Sequence, residues 1–373
     1  MTHSTSNQLT RRQFILGASG TVAMAAIGTV VYRFAPFGKR HTTYVLMSKD
    51  LLRNDTYFIV AYEPDQRSFS DIPIHFYGHS IIPHSRPGKA VMFAQRPGTY
   101  ACEVDFLEGT VAKKFETAEN RHFYGHGCYN NDGSLLFCTE NNFDDGQGVI
   151  AIRNADTYEY EGEFPSYGVG PHDMWLVDDG NTLVVANGGN RTHPDQKDGY
   201  LPVETTGSTL SYVDIRSGEL LEQVVLDDSE LMMKHLALGG DDTVFIGMQG
   251  GSGQPNLAYH QRGQELRYFD ASDSLYEAMK GHTLSLANYN DQCLAVTSLT
   301  GGQITFWDIP SKRFLKSYHV ETCKGVVAVD DRFIVTASGG LVMEIDPVSL
   351  AITYKDEPMD GSRWGSHLMS ITV

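Results

Sequence analysis

Cysteine is sparse in this sequence and badly spaced for the chemistry it usually signals. Cys102, Cys128, Cys138, Cys293 and Cys323 form no Cys-x-x-Cys pair and no Cys-x-x-Cys-His run. That excludes a thioredoxin-like redox motif and a covalently attached c-type haem, and the odd count leaves at least one thiol unpaired within a monomer. Neither a Gly-x-Ser-x-Gly nucleophile elbow nor a His-Glu-x-x-His zinc helix occurs. Gly247-Met248-Gln249-Gly250-Gly251-Ser252-Gly253 is glycine-rich but lacks the Lys-Ser/Thr of a phosphate loop and reads as a turn. Asp144-Asp145-Gly146-Gln147-Gly148 offers too few spaced oxygens for a dedicated calcium loop. Positive charge is scarce too, with 29 Lys and Arg against 46 Asp and Glu. A nucleic-acid partner is thereby excluded, because affinity for phosphate backbones comes from clustered cations.

What is present begins at the amino terminus. Thr10-Arg11-Arg12-Gln13-Phe14 leads into a charge-free run of 19 residues, Phe14 to Tyr32. Paired arginines before an apolar stretch resemble the signal of the twin-arginine pathway, which exports proteins already folded. Residues 1–40 are therefore expected to be a signal segment with a helix and a linker, and the protein to be periplasmic. Ala23-Met24-Ala25 offers a cleavage site that would leave 27 basic against 46 acidic residues, a net charge of −19. The run is also close to the roughly 20 residues needed to span a bilayer, so an uncleaved inner-membrane anchor is the alternative.

Residues 41–373 carry an internal repeat, the feature that decides the fold class. In most copies its core is Gly or Pro, then His, then an apolar strand, an Asp/Asn/Gly turn and a second apolar strand; Lys234 and Ser366 precede the histidine in two of them. The copies centre on His79, His126, His172, His235, His282 and His367, with Lys324-Gly325-Val326 filling the same slot with glycine. Successive spacings are 47, 46, 63, 47, 43 and 42 residues, the length of a four-stranded propeller blade apart from one insertion. The fold expected is all-β, a seven-bladed β-propeller. No room follows the last phrase for three more strands, so the segments Thr42–Met47, Tyr57–Tyr62 and Phe69–Phe76 should supply them. The two ends of the chain would then close one blade.

The phrase Gly170-Pro171-His172-Asp173 with Asp179-Gly180-Asn181-Thr182-Leu183 resembles the YVTN class of propeller repeat. Gln95-Arg96-Pro97-Gly98-Thr99, Arg121-His122-Phe123-Tyr124-Gly125-His126, Ala186-Asn187-Gly188-Gly189 with Thr192-His193-Pro194, and Lys234-His235-Leu236 narrow the likeness. They resemble the twin-arginine-exported family catalogued as domain of unknown function 1513. That resemblance implies a setting beside imelysin-type and dihaem cytochrome proteins in periplasmic iron uptake, without defining a reaction. Lys234 stands where the family has Arg, which weakens any bidentate anion contact.

First strands of propeller blades face the central channel, so equivalent positions converge there. His79, His126, His172, His235, His282 and His367 are thus expected to form a ring. Imidazole is a favoured ligand of iron and copper, and the ring could hold one ion or a small cluster. The alternative is a structural lining hydrogen-bonded to backbone and water. His122, four residues before His126, shares its strand face. Arg96 and Arg121 could add positive charge at the same mouth for an anionic or metal-chelate ligand, or Arg121 could only pair with a surface carboxylate such as Glu119. His193, in the insertion between Gly188 and Glu204, could cap the site. Three functions follow: metal acquisition or delivery, a docking scaffold for an imelysin-type or cytochrome partner, or a metal-dependent oxidoreductase. No acid, base and nucleophile set selects the third.

Overall fold

In a computed structural model the described residues are 42–51, 55–193, 195, 207–226, 230–251, 253–356 and 361–373. The expected signal segment and anchor, residues 1–40, lie outside them. Strands dominate because the sequence alternates short apolar runs with Asp, Asn and Gly turns, which favour hairpins over helices. Six antiparallel sheets have four strands each and a seventh has five, the seven-bladed propeller that the repeat predicts. Among the described residues one α-helix occurs, Asp273–Met279, with Ser272 capping the N–H of Leu275.

The first strands of the six four-stranded blades are Gly78–Pro83, Arg121–Tyr129, Pro171–Val177, Met232–Leu238, Thr283–Tyr289 and Cys323–Val329. Each pairs with the second strand of its own blade. Closure uses both ends of the chain. Thr43–Leu51 pairs on one side with Thr56–Glu63 and on the other with Ser362–Trp364 and Met369–Thr372. Ser68–Ile74 completes this blade. This pairing joins the first and last repeats in one sheet and closes the array.

The core lies between neighbouring blades. Phe93 meets Phe123 at 5.4 Å between ring centres, and Phe306 meets Phe333 at 5.8 Å. Burying each such ring stabilises by roughly 1.5–3 kcal/mol. The closing blade is packed on both flanks: Leu46 and Ile59 share a cluster with Ile81 and Met92, while Val45, Met47 and Tyr62 share another with Val329 and Ile334. Outermost strands turn polar; Thr110–Glu116 is largely exposed. The 63-residue interval is accounted for by a long connection between the strands Thr182–Asn187 and Thr209–Asp214.

Candidate metal centre

Every one of the six first strands slips register near its copy of the repeat phrase. The slips fall between Gly78 and Ile81, Phe123 and Gly127, Pro171 and Asp173, Met233 and His235, Thr283 and Ser285, and Cys323 and Val326. A bulge inserts an unpaired residue and re-aims side chains. His79, His126 and His172 lie inside the slips and His235 ends one, so all four leave the sheet plane at the same level of the channel. His367 comes from the connection between the two C-terminal strands. Gly125 makes the approach possible: its φ of +101° is open to glycine, and a Cβ there would strike the His79 ring.

Five histidines meet as a result. Ring centres are 5.0 Å apart for His79 and His126, 4.4 Å for His126 and His367, and 4.5 Å for His79 and His367. His172 lies 5.2 Å from His126 and 4.6 Å from His235. One ring nitrogen from each of His79, His126 and His172 can be chosen so that all three lie within 4.8 Å of one another. The nitrogens His79 Nε2, His126 Nε2, His172 Nδ1, His235 Nδ1 and His367 Nε2 are buried without a hydrogen-bond partner. An orphaned buried polar group costs about 1–3 kcal/mol, so five in one cluster call for a ligand.

The opposite nitrogens have defined neighbours. His126 Nδ1 lies 3.2 Å from Oδ1 of Asp173, a carboxylate that favours the proton on Nδ1 and leaves the unpartnered Nε2 for a ligand. A carboxylate behind an imidazole is the usual outer shell of a metal ligand. The guanidinium of Arg96 donates through Nη1 to Nε2 of His172 at 3.2 Å. Gln249 Nε2 donates to Nε2 of His235 at 3.3 Å and to the carbonyl of Thr283 at 3.0 Å, while its Oε1 accepts from Nζ of Lys234.

Burial first, and then the neighbouring rings with Arg96, hold His79, His172, His235 and His367 well below the ordinary histidine range. These four are neutral at physiological pH, the state in which imidazole ligates metal. A cavity of about 530 Å³ runs from His126, His235 and His367 along the first strands, past Met174, Trp175 and Leu286.

The remaining candidates stand elsewhere. His282 precedes its blade's slip, forms an isolated bridge with Gln249, and shares a short contact between Nδ1 and the Thr300 hydroxyl, 2.6 Å away. The expected ring of six is thus a cluster of five. Gly325 leaves no opening, because Leu368 fills the space its side chain would take. His122 pins the insertion: Nδ1 donates to the Phe123 carbonyl at 3.0 Å and Nε2 meets Thr192 Oγ1 at 3.0 Å. Tyr124 donates to the carbonyl of Asn190 at 2.6 Å, so residues 190–192 are held against the preceding blade. His193 packs on Phe143 and lies 3.5 Å from Asp195 rather than against a cluster ring; Pro194 and residues 196–206 lie outside the described residues. Arg121 forms a two-pronged ion pair with Glu163, at 2.6 and 3.0 Å, rather than with Glu119. Reading the sequence missed Asp173 and Gln249. The triplet Pro171-His172-Asp173 held the signal for the first, a carboxylate beside a histidine, but the imidazole it orients is on another blade.

A family model described as "Protein of unknown function (DUF1513)" matches residues 72–371. The chain belongs to this family. The matched span includes all six histidine-bearing phrases and Arg96. No curated protein matches the chain. Among solved structures it is similar to Kuenenia stuttgartiensis hydrazine synthase, with a TM-score of 0.57 and 10% identity over 80% of this chain and 91% of that one. At that identity the likeness is one of propeller fold. Five cysteines remain free, and none is paired in a disulfide.

Proposed function

We propose that this DUF1513 protein binds a transition metal, iron or copper, in its central channel and serves metal acquisition or delivery. The observation that carries the reading is the convergence of His79, His126 and His172, with ligand atoms within 4.8 Å of one another, on a site where five histidine nitrogens are buried and unpartnered. Neutral imidazoles suit iron and copper better than the hard cations calcium and magnesium, which take oxygen ligands. His126 is the anchor, since Asp173 favours the tautomer protonated on Nδ1. His367, whose Nε2 is buried and unpartnered, stands ready to complete the coordination, while His235 accepts from Gln249 and lines the site.

The proposal extends to the setting. The paired arginines Arg11 and Arg12 before an apolar run support export by the twin-arginine route to the periplasm. Folding before export would allow metal to be loaded in the cytoplasm, and an imelysin-type or dihaem cytochrome protein would be the natural partner for exchange. Metal analysis of protein purified from its native compartment, with and without His126→Ala, tests the central claim. Stoichiometric iron or copper in the wild type, lost in His126→Ala and retained in His282→Ala, supports it. A wild type that is metal-free and takes up neither metal rejects it.

A further inference from the structure

Arg96 blocks the ligand that the metal would need. A guanidinium has only donors, so the contact from Arg96 Nη1 makes His172 Nε2 the acceptor. The proton of the neutral ring must then sit on Nδ1, the nitrogen that is buried and unpartnered. In this arrangement His172 offers a cation nothing: one lone pair is taken and the other nitrogen is protonated. Charge adds to the obstacle. Arg96 acts electrostatically on His79, His172, His235 and His367, and Lys234 acts on His172 and His235. A metal ion entering the site meets the repulsion of these two cations, of which the single carboxylate of Asp173 behind His126 offsets only one.

We propose that the centre loads as a metal–oxyanion pair, in which a carbonate or carboxylate group engages Arg96 and so releases His172 to coordinate. This inference rests on the metal reading above. A planar group with two oxygens matches the guanidinium fork. Once Arg96 turns to the anion, the His172 proton can settle on whichever nitrogen faces away from the metal, with no net proton change in the neutral ring. The anion also offsets the charge of Arg96 and Lys234 beside the incoming cation. Two sources supply the same chemistry: free bicarbonate, or a carboxylate arm of a metal chelate.

The test titrates copper(II), at fixed free-metal activity, into the whole metal-free protein in carbonate-free, non-coordinating buffer. Parallel arms add bicarbonate, or deliver the metal as copper citrate, and iron(II) under nitrogen repeats the comparison. Electron paramagnetic resonance of the copper samples counts nitrogen donors. The expected result is at least tenfold tighter binding with the anion and one more nitrogen donor, with Arg96→Ala binding equally in all arms. A response to bicarbonate identifies free carbonate as the source, and a response to citrate alone identifies the chelate. Equal affinity and equal nitrogen count in every wild-type arm overturn the inference and leave the metal reading standing, as does an Arg96→Ala protein that keeps the full dependence. Failure to bind either metal in any arm removes both.

Discussion

Asp173 ties three blades together at the cluster: its Oδ1 lies 3.2 Å from Nδ1 of His126, and its Oδ2 accepts the backbone N–H of Leu236 at 2.9 Å. The carboxylate that orients the anchoring imidazole is therefore held by the next blade along. Asp173→Ala removes both acceptors and the charge. Loss of such an outer-shell partner typically weakens a metal site 10–100-fold, and leaving the Leu236 N–H without its acceptor costs about 1–3 kcal/mol. Competition titration should show the first effect and denaturant unfolding of the metal-free protein the second. Unchanged metal affinity in the variant would count against His126 as the anchor.

Acid should destabilise the metal-free protein through the histidines themselves. Burial, followed by neighbouring charges, holds His79, His172, His235 and His367 well below the ordinary range. In the unfolded chain each titrates near 6.5. Below that pH the unfolded state binds more protons than the folded one, so stability falls as pH drops through about 6.5 and is level above it. Each such proton tilts stability by up to ~1.4 kcal/mol per pH unit. Denaturant midpoints measured from pH 8 to pH 5 should drop steeply at the acid end. A flat profile would mean that these imidazoles are not held neutral by the fold.

The seven blades, the closing partnership of the two ends and the insertion were all legible in the sequence, because a repeat of fixed spacing reports its own architecture. Membership of the cluster was only partly so. His282 carries the same Gly-His phrase as His79 and His126, yet its strand slips register after the histidine and not around it. A one-residue shift in a bulge is invisible to a pattern of residue types. Arg96 and Arg121 look alike as basic residues near a channel mouth. What separates them is a partner on another strand, Glu163 for one and His172 for the other.

Gly125 is the position where backbone freedom bears directly on the site. Gly125→Ala must place a side chain at φ +101° against the ring of His79. Strain of this kind costs on the order of 1–3 kcal/mol, and the displaced ring would no longer present Nε2 to the cluster. Thermal unfolding of the metal-free variant should report the strain, and metal titration the misplaced ligand. A variant as stable as wild type, with full metal affinity, would show that His79 has room the packing does not suggest.

Closure of the propeller and construction of the centre share one segment. Met369–Thr372 pairs with Thr43–Leu51, and the connection just before it carries His367, whose ring lies 4.4 Å from that of His126. Ending the chain after Leu368 exposes the edge of Thr43–Leu51 and removes the pairing that anchors His367. An open propeller loses the mutual support of its first and last blades, so limited proteolysis should cut first in the closing blade, at sites that the intact protein resists. Metal affinity should fall in the same variant, although His79, His126 and His172 are untouched. If proteolysis is unchanged, the two ends do not hold the closing blade; if metal affinity alone survives, His367 takes no part in coordination and the centre is complete with the histidines of the Gly78, Arg121 and Pro171 strands.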